Sequence, residues 1–191
     1  MLELRSASAE DTRSIAAAVA GLARAGDLIV LAGQMGAGKT AFAQGFARAL
    51  GVTEPVTSPT YTIVHSYPAV ASGTRTALPS GRGTAEPGNH NDLTLHHADL
   101  YRLEHTAEVA DLALGELLDD DAVVLVEWGD VVDLGQHLQI ELRQVDEFDD
   151  PYETLDDVDA ADVREITITS SDRRWDVRWD RLAEALQEWT S

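Results

Sequence analysis

The residues from Gly33 to Thr40 read Gly-Gln-Met-Gly-Ala-Gly-Lys-Thr and match the pattern G-x-x-x-x-G-K-[ST] at every fixed position. Glycines let the backbone curl, so that successive N–H groups can point inward at phosphate oxygens. A helix that begins near Gly38 would add the positive end of its dipole. The pattern therefore predicts a phosphate-binding loop for ATP with Mg²⁺. Lys39 would reach the β- and γ-phosphates, and the Thr40 hydroxyl would ligate the metal.

Lys39 is the only lysine of the chain, because the other thirteen of its 14 Lys and Arg residues are arginines. A lysine ammonium is a compact point charge on a flexible stem, whereas an arginine guanidinium is a planar fork. The use of lysine inside the glycine loop therefore indicates a position that needs the point charge.

Two carboxylates at the ends of predicted strands are candidates for binding the metal ion or orienting the attacking water. Glu127 ends the apolar run Val123–Val126, and parallel strands place their carboxyl ends beside such a loop. Glu127 could hold Mg²⁺, directly or through water, or orient the attacking water. Asp99 is a second candidate ligand for metal or water, with a structural role as the open alternative. The predicted catalytic residues are Lys39, Asp99 and Glu127, and the predicted metal ligands are Thr40, Glu127 and Asp99.

His96 and His97 precede Asp99 on the same predicted strand. Successive side chains on a strand point to opposite faces, so the two imidazoles make a poor chelating pair. We therefore predict no histidine metal site.

A hydroxyl-rich segment, Thr57-Ser58-Pro59-Thr60-Tyr61, lies between the helix after the loop and the next predicted strand. Such a segment could act as a switch that senses the γ-phosphate. The alternative is a proline turn that leads into the strand.

Apolar runs and turn residues predict the elements that must position these groups. Leu28–Leu31 and Ala122–Val126 are continuous apolar runs, typical of strands buried in a parallel sheet. Helices are predicted from Ser8 to Gly26, from Lys39 to Leu50 and from Thr106 to Leu118. A last helix is predicted to carry a C-terminal stripe that packs on its own domain, formed by Trp175, Trp179, Leu182, Leu186 and Trp189. Strands are predicted at Leu2–Leu4 and Thr62–Val64 and before Asp99, with alternating, antiparallel strands at Leu138–Val145 and Glu165–Thr169.

Together these elements predict an α/β, three-layer fold of the P-loop NTPase kind, with central parallel strands and antiparallel edge strands. We expect one domain over residues 1–191. Residues 69–93 are rich in Gly, Pro, Ser and Thr and predict a flexible insertion. Residues 146–162 carry nine acids and no base, which predicts a solvated acidic loop.

The composition excludes several classes of function. A formal net charge of −20 repels nucleic-acid phosphates, so autonomous binding of RNA or DNA is not expected. The chain has no cysteine, which excludes disulfides and thiolate metal sites. Because no apolar run approaches the roughly 18 residues of a membrane span and no signal peptide is recognisable, we expect a cytoplasmic protein without a membrane partner.

Other subclasses of phosphate-loop protein lack their signatures here. No Asn-Lys-x-Asp segment is present to read guanine, and no Leu-Ser-Gly-Gly-Gln signature of transporter ATPases occurs. The segment between the motifs is not rich in arginine, unlike the lids of small kinases. A small-molecule kinase and a nucleotide-gated binding module without turnover stay open as alternatives to an ATPase.

The motifs in combination resemble the bacterial TsaE family. They are the loop Gly33–Thr40, the segment Thr57–Thr62, the cluster His97-x-Asp99-x-Tyr101-Arg102-Leu103 and the triplet Val126-Glu127-Trp128, in the order and approximate spacing of that family. The resemblance runs from about Asp11 to Trp128. The insertion at 69–93 and the acidic stretch at 146–162 are longer than the family pattern.

The resemblance implies a small ATPase needed for the threonylcarbamoyladenosine modification of tRNA next to the anticodon. It would act on a TsaD–TsaB heterodimer by hydrolysing ATP, and it would meet tRNA only through that complex. We expect slow turnover of the free protein, because no arginine finger or fixed general base is visible in the sequence, and stimulation by the partners. Nucleotide contacts would come from Ala9, Glu10, Gly33, Gly36, Ala37, Gly38, Lys39, Thr40 and Ala41. Asp99 would support hydrolysis, and Thr40 and Glu127 would serve Mg²⁺. A switch or partner-sensitive region would include Ser58, Pro59, Thr60, Tyr61, Tyr101, Arg102 and Trp128.

Overall fold

The structure is a computed structural model of the 191-residue chain, and it describes residues 1–59, 64–70, 92–101, 117–118, 121–129, 133–145 and 163–190. Several sequence predictions fall outside these ranges. They are the acidic loop at 146–162, most of the insertion at 69–93, and most of the helix predicted from Thr106 to Leu118.

Within the described residues, seven strands form a single sheet. They are β1 (Leu2–Ser6), β2 (Leu28–Ala32), β3 (Val64–Val70), β4 (Asp92–Asp99), β5 (Ala122–Glu127), β6 (Leu138–Gln144) and β7 (Arg164–Ser170). Their order across the sheet is β1-β7-β6-β2-β5-β4-β3. The pairs β2–β5, β2–β6 and β4–β5 are parallel, and the pairs β1–β7, β6–β7 and β3–β4 are antiparallel. The predicted α/β fold, parallel at the centre and antiparallel toward both edges, is confirmed.

The burial of each strand follows from its place in the sheet. Every residue of β2 and β5 is buried, as expected of strands covered on both faces. Strand β7 instead alternates, burying Ile166 and Ile168 between partly exposed neighbours. The continuous apolar runs and the alternating run of the sequence therefore predicted the two environments correctly.

The described helices are α1 (Ala9–Ala20), α2 (Lys39–Ala49), α3 (Arg173–Asp176) and α4 (Trp179–Ala185), followed by a 3₁₀ helix (Gln187–Trp189). Helices α1 and α2 pack on one face of the sheet, where Ile15, Val19, Phe42 and Phe46 are fully buried. A smaller apolar cluster lies on the other face and includes Val30, Val124 and Val126 from the strands. No helix of the described residues is long and apolar enough to cross a membrane.

Helix α1 begins where the sequence predicted and ends earlier. The Ser8 side chain accepts a hydrogen bond from Asp11 N at 3.1 Å, and Asp11 Oδ2 accepts one from Ala7 N at 2.9 Å. These bonds satisfy backbone donors at the start of the helix. The helix ends at Ala20 and not near Gly26, because Gly26, at φ +81°, joins the sheet through a bond from its N–H to Ala122 O.

The C-terminal stripe forms two short α-helices and a 3₁₀ turn where the sequence predicted one helix. Its apolar side chains pack on the chain's own core as predicted: Trp175, Leu182 and Leu186 are fully buried, and Trp179 and Trp189 pack against the same cluster. The break falls between α3 and α4, at Val177 and Arg178.

The ends of the predicted insertion at 69–93 belong to strands. Ala69 pairs with Leu93 across the antiparallel β3–β4 ladder, and both side chains are buried. The sequence did not indicate this pairing, because the residues between Ala69 and Leu93 are mostly small or polar. The burial of each side chain also depends on a partner strand more than twenty residues away in the chain.

A buried ion pair anchors the start of β2 to the C-terminal helices. Arg178 Nη1 and Nη2 donate to the two carboxylate oxygens of Asp27 at 2.7 and 2.8 Å, and Nη1 also donates to Leu22 O at 2.7 Å. Arg24 N donates to Asp27 Oδ2 at 2.8 Å, and the Arg178 guanidinium lies 4.1 Å from the Trp175 ring centroid. Because Asp27 is fully buried, its charge depends on these donors.

Replacing Arg178 with Ala leaves the Asp27 carboxylate buried without its counter-ion. We expect the free energy of unfolding to fall by about 3–5 kcal/mol, measured by urea denaturation. The control is Arg181→Ala, which removes an exposed arginine from α4 and should change stability by less than about 0.5 kcal/mol. Equal, small losses in both variants would contradict the anchoring role.

Asp172, the N-cap residue of α3, gives stability a dependence on pH. Burial alone would raise the pKa of Asp172, but hydrogen bonds and positive charge from Arg174 outweigh burial and lower the pKa below its ordinary 3.8. The ionised carboxylate therefore stabilises the fold above about pH 4, and this contribution is lost as the pH falls through the lowered pKa.

Asp172→Asn keeps a capping side chain and removes the titrating charge. We expect this variant to be less stable than the parent at pH 7, with a difference that shrinks as the pH is lowered toward 3. Urea denaturation across that range measures both curves. A difference that stays constant with pH would show that the charge of Asp172 does not contribute.

Candidate nucleotide-binding site

The predicted phosphate loop joins β2 to α2, and three of its glycines have positive φ. The angles are +130° at Gly33, +82° at Gly36 and +107° at Gly38, a region that favours glycine. A Cβ on Gly33 would lie only 2.1 Å from Leu142 O, so β6 packs directly on the loop. Gly38 caps α2 without a side-chain hydrogen bond, which leaves the first N–H groups of that helix to a ligand.

Lys39 folds back over the loop. Its Nζ donates to Gly33 O at 2.6 Å and Gln34 O at 2.8 Å, and it lies 3.6 Å from the ring centroid of Trp128. The side chain is only 5% exposed, so the ammonium is held among carbonyl dipoles and an aromatic face instead of water. Lys39 therefore lies against the loop, and its contact with nucleotide phosphates stays a prediction.

The two predicted carboxylates lie side by side. Asp99 and Glu127 are directly paired in the parallel β4–β5 register, and both are buried. The Thr40 hydroxyl, from the first turn of α2, lies 3.4 and 3.3 Å from the two carboxylate oxygens of Glu127. The structure therefore brings Thr40, Glu127 and Asp99, the three predicted metal ligands, to one place.

Asp99 is held by the predicted hydroxyl-rich segment. Ser58 Oγ donates a short hydrogen bond to Asp99 Oδ2, and Tyr101 N donates to Asp99 Oδ1 at 2.9 Å. Pro59, next to Ser58, is buried. Thr60, Tyr61 and Arg102, which the sequence also assigned to this region, lie outside the described residues.

His97, on β4, contacts the Glu127 carboxylate. Its Nε2 lies 2.9 Å from Glu127 Oε1, and its side chain is fully buried. His96 points to the other face of the sheet, where its Nδ1 lies 2.8 Å from Ser66 Oγ. The prediction that the two histidines diverge is confirmed. The period-two spacing of His97 and Asp99 is the sequence signal that could have placed His97 in the site.

A cavity of about 410 Å³ connects these groups. Its lining is Met35, Gly36, Gly38, Lys39, Thr40, Ala41, Ser58, Asp99, Tyr101, Glu127 and Trp128. Tyr101 packs on Trp128 with ring centroids 4.9 Å apart, and Met35 and Tyr101 are exposed. Trp128 has φ +61°, unusual for a residue with a large side chain. Most of the predicted site residues that the structure describes line this one cavity.

Four of the predicted nucleotide contacts are not among the residues that line the cavity. Gly33 supplies a carbonyl to Lys39, and Ala37 is buried beneath the loop. Ala9 and Glu10 are exposed in the first turn of α1. A nucleotide contact at Ala9 or Glu10 stays a prediction.

The family described as threonylcarbamoyl adenosine biosynthesis protein TsaE matches this chain over residues 6–150. That range includes the loop, Asp99 and Glu127. The chain belongs to the TsaE family. Its place is therefore in threonylcarbamoyladenosine biosynthesis.

Individual TsaE proteins agree with this assignment. The tRNA threonylcarbamoyladenosine biosynthesis protein TsaE of Bacillus subtilis (strain 168) is 32% identical over 185 residues, covering 95% of this chain and 94% of that protein. The protein of the same name from Mycobacterium tuberculosis (strain ATCC 25618 / H37Rv) is 36% identical over 151 residues, covering 73% and 77%. The crystal structure of Bacillus subtilis YdiB has a TM-score of 0.65 and 30% identity, covering 96% of this chain and 94% of that chain.

The donor set of this TsaE-family site fits Mg²⁺. Thr40, Glu127 and Asp99 offer only oxygen atoms, the ligands that this ion prefers. In the described part of the chain, no group of three or more His, Cys, Asp or Glu residues could hold a metal by itself. A site with few protein ligands suits an ion that usually keeps water and binds together with substrate phosphates.

Arg164 is a second cation near the loop that the sequence did not single out. A Cβ on Gly38 would lie 3.9 Å from both Arg164 Nε and Thr12 Cγ2. Strand β7 and helix α1 thus approach the loop from the side opposite the carboxylates. Arg164 could not be predicted to lie near the glycine loop, because it is far from Gly38 in the chain and no local pattern links the two.

Gly33→Ala should disrupt the loop more than its positive φ alone would, because the new Cβ would collide with Leu142 O. The control is Gly135→Ala, which also has positive φ but has open space around it. We expect a loss of about 1–2 kcal/mol in the control and a clearly larger loss for Gly33→Ala, measured by thermal unfolding. Equal losses would show that the β6 contact is unimportant.

Proposed function

We propose that this protein is a Mg²⁺-dependent ATPase that supports threonylcarbamoyl modification of tRNA adenosine by acting on a TsaD–TsaB complex. The observation that carries this proposal is the meeting of Thr40, at the end of the glycine loop, with the paired carboxylates Glu127 and Asp99. A phosphate loop, a hydroxyl and strand-end carboxylates are the parts that nucleotide hydrolysis needs.

The loop and α2 would bind the nucleotide phosphates. Gly38, Lys39, Thr40 and Ala41, at the start of α2, line the cavity, and the cap of this helix has no side-chain hydrogen bond. Two hydrogen bonds of the Lys39 ammonium go to backbone carbonyls, and Lys39 could exchange these for bonds to phosphate oxygens by rotating its flexible stem. Bound Mg²⁺, held by Thr40 and Glu127, would neutralise charge on the phosphate oxygens.

The remaining carboxylate would orient the attacking water. Asp99 is fixed by Ser58 and by the Tyr101 N–H, and it opens into the cavity beside Glu127. Two held carboxylates give a defined position for a water molecule at the strand ends. Ser58, as an Asp99 partner, ties the hydroxyl-rich segment to this position and supports its proposed role as a switch.

We expect slow turnover of the isolated protein because the mouth of the cavity is open. Met35 is 70% exposed and Tyr101 is 48% exposed, so solvent reaches the mouth of the cavity. A partner that covers these side chains would exclude water and strengthen the interactions of the charged groups. The net charge of −20 also favours a protein that meets tRNA through other proteins.

Steady-state ATPase measurements with and without TsaD–TsaB and tRNA test this proposal directly. We expect low turnover alone and a clear increase with the complete complex, with phosphate released into solution. Fast turnover that ignores the partners would contradict the proposed role. Phosphate transferred to an added metabolite would instead identify a kinase, and undiminished cellular function of Glu127→Gln would identify a binding module without turnover.

Lys39→Ala should weaken ATP binding by roughly 10- to 100-fold, because it removes a charged hydrogen-bond donor of about 1.5–3 kcal/mol. Isothermal titration with a non-hydrolysable ATP analogue measures the affinity. Arg48→Ala serves as the control, since Arg48 is exposed near the far end of α2. Unchanged affinity of the Lys39 variant would overturn the assignment of this lysine to the phosphates.

A further inference from the structure

The His97–Glu127 contact has no role in the function proposed so far. His97 is fully buried on β4, with its Nε2 2.9 Å from Glu127 Oε1. Glu127 is itself only 3% exposed, and its Oε1 and Oε2 lie 3.4 and 3.3 Å from the Thr40 hydroxyl. One carboxylate is therefore shared between an internal imidazole and the hydroxyl of the proposed metal site.

The chemistry of the pair determines which atom carries the proton. An ionised carboxylate only accepts hydrogen bonds, so Nε2 must be the N–H that donates to Glu127. The other ring nitrogen, Nδ1, is buried without a hydrogen-bond partner among the described residues. We therefore assign a proton to Nε2, the donor of this hydrogen bond.

This donor limits how the Glu127 carboxylate can turn. The last torsion of a glutamate side chain is broad, so the carboxylate alone would rotate freely. A hydrogen bond from the buried His97 ring fixes Oε1 and with it the plane of the carboxylate. Both carboxylate oxygens then lie close to the Thr40 hydroxyl, Oε1 at 3.4 Å and Oε2 at 3.3 Å.

We propose that His97 is a positioning residue that orients Glu127 for Mg²⁺. The inference rests on the proposed function for the metal itself, and it adds the group that presents the ligand. Partners of this kind hold metal-binding carboxylates in other proteins, and their loss typically costs 10- to 100-fold in metal affinity. His97 acts through Glu127 and need not touch the nucleotide.

The test compares three replacements of His97. Gln can place an amide N–H near the position of Nε2, whereas Asn is too short to reach Glu127, and Phe has no donor. The matched control is His96→Phe, the adjacent histidine on the opposite face of β4, whose Nδ1 contacts Ser66. Thermal unfolding of each variant establishes that it is folded.

The readout is the binding of ADP, measured by isothermal titration in EDTA and over a series of Mg²⁺ concentrations. For His97→Phe and His97→Asn we expect the Mg²⁺ concentration that gives half of the metal-dependent gain in affinity to rise roughly 10- to 100-fold. Affinity in EDTA should stay unchanged. His97→Gln should restore most of the parent behaviour, and His96→Phe should match the parent.

Distinct results separate this inference from the proposed function. If Mg²⁺ does not strengthen ADP binding to the parent protein, the proposed metal site is wrong, and the role of His97 is wrong with it. If Mg²⁺ strengthens binding equally in the parent, the Gln variant and the Asn variant, the inference alone is overturned. Equal losses in EDTA and in Mg²⁺ would also overturn it, by showing a merely structural role. The comparison of Gln with Asn decides the matter even if His97→Phe does not fold.

Discussion

The parallel pairing of β4, β5 and β2 is the constraint on which the site depends. In this register Leu31 lies opposite Glu127, and Glu127 lies opposite Asp99, so β4 and β5 end one residue before β2 does. Backbone hydrogen bonds continue past these pairs: Trp128 N donates to Leu31 O at 2.9 Å, and Leu100 N donates to Glu127 O at 3.0 Å. Because the glycine loop leaves β2 just beyond these pairs, its helix can set Thr40 against the carboxylates. A slip of one residue in either pairing would turn these side chains to the other face of the sheet.

The start of β2 is held as firmly as its end. Asp27 joins the strand to β5 through its carbonyl, which accepts from Val124 N at 3.0 Å, while its carboxylate is held by Arg178. The C-terminal helices thus brace the strand that delivers the loop. This arrangement links the stability of a distant segment to the position of the site, although the two are far apart in the sequence.

The backbone beside the site is strained at Trp128, which has a positive φ. A large residue at φ +61° is costly, on the order of 1–3 kcal/mol, and persists only where its surroundings hold it. Here Tyr101 packs on one side of the ring system, and the Lys39 ammonium lies over the ring. A ligand that draws Lys39 toward itself must separate the ammonium from this ring and from two carbonyls. The aromatic pair and the loop are therefore energetically connected.

The amino-acid sequence determined by itself the features that depend on neighbours along the chain. The glycine loop, the apolar runs of β2 and β5 and the cap of α1 are local, since they follow from backbone freedom, burial and short-range hydrogen bonds. The motif order likewise sufficed to indicate the TsaE family. Even the strand-end positions of Asp99 and Glu127 were predictable, because each acid comes where a predicted strand ends and therefore lies at its carboxyl end.

Only the tertiary structure decided which of these groups touch. The pairing of Asp27 with Arg178, the approach of Arg164 to the loop and the true extent of β3 and β4 all join residues far apart in the chain. The direction of His97 into the Glu127 carboxylate, and of His96 away from it, became specific only once β4 was placed beside β5. The physical reason is that strand order and register are set by packing between segments far apart in the chain. The spacing of residues within one segment indicates only the secondary structure of that segment and which of its faces is buried.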